Sequence, residues 1–167
     1  MNEEKIEFRF VGIQTMSKSL FPLPELKIVE GFNFDIKAGV RVQAIQGLVI
    51  MDVEVKIMDP ENLYMYGYFN VWCLFSIISF EKVIRLNEDG LYDVPNALEQ
   101  TIKPVSISTV RGVIHSNLSG TYLQNAIMPV VYMDDFKQEL PQTKLEAPSI
   151  SEEKVPTKKS KKERKEK

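Results

Sequence analysis

The sequence predicts an α+β fold: a four-stranded antiparallel sheet packed with one long helix, kinked at Pro104, and a short C-terminal helix. Three observations predict it. Residues 32–44 and 49–57 alternate apolar and polar side chains around a Gln46-Gly47 turn, the pattern of two half-buried antiparallel strands. Residues 63–78 form a further strand, apolar or aromatic on both faces. Residues 95–116 place Leu98, Ile102 and Val105 on one face of a helix.

In chain order, Ile6, Phe8 and Phe10 alternate with Glu7 and Arg9 as a first, half-buried strand, and Pro22 and Pro24 make the following segment a loop. The second strand puts Phe32, Phe34, Ile36, Ala38, Val40, Val42 and Ala44 on one face, with Gly39 marking a bulge or bend. The third carries Val49, Met51, Val53, Val55 and Ile57 inward, and Asp59-Pro60-Glu61-Asn62 supplies the next turn. On the fourth, Tyr64, Tyr66, Tyr68 and Trp72 share one face, while Phe69, Val71, Cys73 and Phe75 share the other. A sheet with one wet face does not require this, so the second face is expected to meet another subunit or a ligand.

Residues 79–90 read as a polar connection. The helix starts at Asp93-Val94-Pro95-Asn96, where proline costs no hydrogen bond, and Pro104 removes an interior one. A second reading ends the helix at Pro104 and continues Val105–Val110 as a strand. Residues 120–130 are too short and proline-bounded for another long helix and read as an extended surface connector. A short helix is expected over Asp134–Leu140, capped by Asp134 or Asp135 and stopped before Pro141. The domain thus spans residues 1–140. Residues 141–167, rich in Pro, Ser, Glu and Lys, bury too little to repay ordering and are expected to be a disordered lysine-rich tail.

Of 167 residues, 44% are hydrophobic and 26% charged, ordinary for a globular domain. The net charge of −2 hides a split: from Lys154 onward eight Lys/Arg face two Glu, giving +6 and leaving −8 for the rest. The tail lacks the interleaved aromatics of a base-stacking surface, so nucleic acid is not the expected partner. One cysteine, Cys73, excludes an internal disulfide. No secretory signal and no membrane-length apolar run is seen, so a cytoplasmic protein without membrane insertion is expected.

No constellation argues for an enzyme. His115 is the single histidine, with no nucleophile motif around it and no second histidine to share a metal. There is no CxxC pair, phosphate loop or HExxH. No catalytic residue, metal or cofactor is therefore expected.

Several motifs in order carry a family resemblance: the opening Ile6-Glu-Phe-Arg-Phe-Val strand, a proline loop, two long strands, an aromatic strand ending Leu74-Phe75-Ser76-Ile77, a Pro95-Asn96 helix start, an Arg111-Gly112 pair, and Leu123-Gln-Asn-Ala-Ile-Met-Pro129-Val. Over about residues 5–140 the chain resembles the SecB family of export chaperones and their SecB-like relatives. The resemblance implies a tetramer assembled as a dimer of dimers through the long helix. It also implies ATP-independent binding of unfolded polypeptides, such as preproteins for export, in hydrophobic grooves. Some SecB-like relatives instead serve the antitoxin of a toxin–antitoxin pair. Export members carry an acidic contact for the translocase motor on the fourth strand, where this chain has Tyr66, Tyr68 and Asn70. Their tails are not lysine-rich runs, and Pro104 is unexpected in their helix.

Two surfaces follow as expectations. The client groove combines Tyr66, Tyr68, Trp72 and Leu74 with Leu123, Ile127 and Met128, because tyrosine and tryptophan offer apolar bodies with water-tolerant tips. The homo-oligomer interface uses Leu98, Ile102, Val105 and Val110. A competing class is a scaffold or nucleic-acid-binding protein acting through the basic tail.

Overall fold

The computed structural model describes residues 6–22 and 31–131. The short helix expected over Asp134–Leu140 and the tail lie outside these residues. Four strands, β1 (Phe8–Leu20), β2 (Asn33–Gln43), β3 (Leu48–Met58) and β4 (Met65–Ile77), form one antiparallel sheet in the order β1-β4-β3-β2. A one-turn helix, α1 (Phe80–Val83), leads to a small ladder of β5 (Arg85–Leu86) and β6 (Tyr92–Asp93), and then to the long helix α2 (Asn96–Leu118). Among the described residues no helix is long and apolar enough to cross a membrane.

The alternation over 32–44 and 49–57 becomes an unbroken ladder from Asn33↔Met58 to Gln43↔Leu48. β1 is longer than its first residues suggest, because two irregularities, between Phe10 and Gly12 and between Thr15 and Ser17, interrupt its alternation. A strand whose phase slips twice leaves no clean period-2 pattern to read. The β5–β6 ladder was also not expected from residues 79–90; the hydrogen bond from the Leu91 N–H to Asn87 Oδ1, at 2.8 Å, closes its turn.

α2 runs continuously through Pro104, so the strand alternative for Val105–Val110 falls away. Its first turn is closed by the Leu98 and Glu99 N–H groups donating to the Pro95 carbonyl at 2.9 and 3.1 Å. Glu99 and Lys103 pair at 3.2 Å one turn apart. Gly120, at φ +76, takes the left-handed conformation that ends the helix.

The helix packs on β3 and β4. Its buried face is Leu98, Ile102, Ser106, Ile107, Val110, Ile114 and Leu118. These meet the inward set of the sheet: Val49, Met51, Val53 and Val55 of β3, and Phe69, Val71, Cys73 and Phe75 of β4. Ser106 is fully buried and satisfies its hydroxyl on the Ile102 carbonyl at 2.8 Å. Three residues expected at an oligomer interface, Leu98, Ile102 and Val110, therefore belong to the chain's own core. The physical reason is that a single-layer sheet must bury one apolar face, and α2 is the element that covers it. Val105 alone of the four points outward, 44% exposed.

Truncating Ile102 to alanine should cost about 2–5 kcal/mol. Urea unfolding should show the same loss at low and high protein concentration, since the contact is intramolecular; a concentration-dependent loss would return Ile102 to an interface.

Candidate functional site

β4 sorts its side chains between two environments. Residues paired across antiparallel strands project to the same side. Tyr68 lies between Lys56 and Ser19, Trp72 between Asp52 and Gln14, and Leu74 between Ile50 and Gly12, all on the face turned away from α2. Among the described residues this face has no helical layer, yet its centre is ordered. Arg41 Nε donates to Asp52 Oδ2 at 2.7 Å, Asn70 Nδ2 donates to Asp52 Oδ1 at 2.6 Å, and the Arg41 guanidinium stands 5.7 Å from the Trp72 ring centroid. Asp52 is buried, and so is Ile50. The Trp72 Nε1–H is buried without a hydrogen-bond partner among the described residues. The Arg41–Asp52 pair was not singled out from the sequence, although both residues fall on the polar face across the Gln46-Gly47 turn.

Tyr66 does not join this face. The β3–β4 register slips between Ile57↔Gly67 and Met58↔Met65, and the extra residue turns Tyr66 toward the core. It is 6% exposed, with Phe32 at 6.2 Å and Tyr64 at 5.3 Å between ring centroids.

The connector lies on the helix side of the sheet. Leu123, Ala126 and Met128 are buried in the core cluster, while Ile127 is 68% and Val130 62% exposed. Pro129, Val130 and Val131 line a small groove with Pro104, Ile107, Ser108 and Arg111, so the chain turns back beside α2. The expected client groove is therefore corrected: Tyr68, Trp72 and Leu74 stand on one side of the sheet, and Leu123, Ile127 and Met128 on the other. Leu123 and Met128 are internal because α2 alone cannot cover four strands.

The exposed apolar side chains are others. Phe10 and Ile13 pair with Phe75 and Cys73, whose side chains face the core, yet both remain more than two-fifths exposed because nothing among the described residues covers them. Val11 and Met16, the residues skipped in the pairing, are exposed beside them. Val105, Ile127 and Val130 are exposed as well. The sequence signal for the β1 part was present in Phe10, Val11, Ile13 and Met16, but it was masked by the loss of strict alternation.

Chemistry-bearing groups are dispersed. Cys73 is buried, and burial pushes its thiol up, partly offset by its contact with the Ser106 carbonyl. His115 is exposed near the end of α2. Among the described residues no three His, Cys, Asp or Glu side chains gather to hold a metal ion.

Neither a protein-family model nor a curated protein sequence matches the chain. Among solved structures, it is similar to the SecB-like chaperone Rv1957 of Mycobacterium tuberculosis in complex with a ChAD peptide from the antitoxin Rv1956 HigA1. Identity is 12%, with 77% of this chain and 89% of that chain covered and a TM-score of 0.43.

Trp72→Ala should lower stability by about 2 kcal/mol, less than a fully buried tryptophan, because the ring is half-buried and supports Arg41. Chemical denaturation checks this. Tyr66, Tyr68 and Tyr122 are each raised above the ordinary tyrosine value of 10.0, first by burial. The folded protein thus holds these protons to higher pH than the unfolded chain does. Their stabilising contribution is complete below pH 10.0 and is lost as pH rises through the folded-state values. Denaturation at stepped alkaline pH should show that decline, together with late phenolate absorbance.

Proposed function

We propose that this protein is an ATP-independent holding chaperone, a homo-oligomer that captures unfolded polypeptides on the helix-bearing side of its sheet and performs no catalysis. The observation that carries the reading is the exposure of large apolar side chains on an otherwise well-packed domain: Phe10 and Ile13 on β1, Ile127 and Val130 on the connector. Such surface suits clients recognised by apolarity rather than by sequence, and several weak contacts per assembly add through avidity. The order of motifs that resembles the SecB family supports the same reading.

β1 supports the oligomeric part. It is an edge strand of 13 residues, and its outer backbone has no hydrogen-bond partner among the described residues. An apolar edge of this length favours pairing with another strand, here β1 of a second copy. We take the compartment to be the cytoplasm and the client to be a preprotein or an antitoxin.

Aggregation of a reduced, unfolded model client should be suppressed at equimolar protein without nucleotide. Ile127→Asp with Val130→Asp should weaken client binding about tenfold while the melting temperature holds, since both side chains are exposed. Deleting Lys154–Lys167 should leave holding intact; steeply salt-dependent RNA or DNA binding that vanishes with this deletion, in a protein that holds no client, would favour the scaffold class instead.

A further inference from the structure

We infer that Tyr122 is the positioning residue of the client surface, a single hydroxyl that pins the connector to the sheet; this rests on the chaperone reading above. Among the described residues, Tyr122 alone joins residues 119–131 to the sheet by hydrogen bonds. Its hydroxyl donates to the Phe21 carbonyl just beyond β1, with the Tyr66 carbonyl of β4 second at 3.3 Å. The Phe21 N–H itself donates to the Tyr66 carbonyl at 2.9 Å, so the tyrosine meets the two strands where they are already joined. Tyr64 holds the next residue through a hydrogen bond from its hydroxyl to the Pro22 carbonyl.

The connector has few other constraints. Backbone hydrogen bonds close the turn as far as Ala126, whose N–H donates to the Leu123 carbonyl at 2.8 Å, and among the described residues none is made by the backbone of 127–131. Leu123 docks beside Gly67, where the bare Cα admits its Cδ1 to 3.6 Å from the place a Cβ would occupy. Beyond it, Ala126 and Met128 are buried and Val131 packs against the core, but apolar contact is not directional. The direction in which Ile127 and Val130 are presented therefore depends on how the turn at 120–125 is fixed: Thr121 ties it to the Leu118 carbonyl at the end of α2, and Tyr122 supplies the hydrogen bonds that tie it to the sheet. Tyr122 also keeps its proton to high pH, because burial raises it and the neighbouring Tyr64 and Tyr66 add to the shift. It remains a donor across the physiological range.

The test is Tyr122→Phe, which keeps the ring and removes only the donor, beside Tyr64→Phe, which frees Pro22 and not the connector. Amide exchange of Leu123, Gln124 and Ala126, whose N–H groups are hydrogen-bonded, should quicken about threefold to tenfold in Tyr122→Phe and not in Tyr64→Phe. Affinity for the unfolded model client should fall by a similar factor in Tyr122→Phe, with the melting temperature close to that of the unaltered protein. Unchanged connector exchange in Tyr122→Phe overturns the inference. So does quickened exchange with unchanged client affinity. If the unaltered protein binds no client, the chaperone reading fails instead, and the exchange comparison still reports whether Tyr122 holds the connector.

Discussion

One helix has to cover a sheet that is wider than the helix. Four strands at about 4.8 Å spacing span roughly 14–19 Å, whereas an α-helix with its side chains is about 10–12 Å across. α2 sits over β3 and β4, the inner pair, and leaves a flank on either side. The inward residues of β2, Ile36, Ala38, Val40 and Val42, are nevertheless buried, and Ala126 and Met128 belong to the same cluster. Leu123, Ala126 and Met128 of the connector add to the layer that the helix begins. On β1, Phe10 and Ile13 stay open. Their exposure follows from a mismatch of widths.

The opposite face solves a different problem. Among the described residues it has no layer above it, and burial there is arranged within the face by long side chains lying across it. Arg41 bridges Asp52 and the Trp72 ring, Asn70 completes the carboxylate, and Ile50 is shielded beneath. The Asp52 carboxylate has both oxygens bonded, which is what makes its burial tolerable. Lys56 and Asp35, 3.8 Å apart and more exposed, continue the mixed charge toward the rim at little energetic consequence.

Much of this was legible in the residues. Strict alternation gave β2 and β3 their inward sets, and Pro95-Asn96 marked the start of α2 within one residue. Sequence spacing also put Leu98 and Ile102 on one apolar face, but spacing cannot say whether that face meets the chain's own sheet or another copy. The bulges were the other blind spot. A bulge moves one residue across the sheet without altering composition, so Tyr66 read as a partner of Tyr68 and Trp72 while the register turns it into the core. In β1 two slips dissolved the period altogether, and with it the signal for the most exposed apolar edge of the fold.

The strand order has a consequence for the chain's own synthesis. β1 is made first but pairs only with β4, Phe8 opposite Ile77, so it cannot dock until most of the domain has left the ribosome. Contacts of such long separation close slowly, because loop entropy must be overcome before they form. Throughout that interval Phe8, Phe10, Val11 and Ile13 are carried on a nascent segment without a sheet to join.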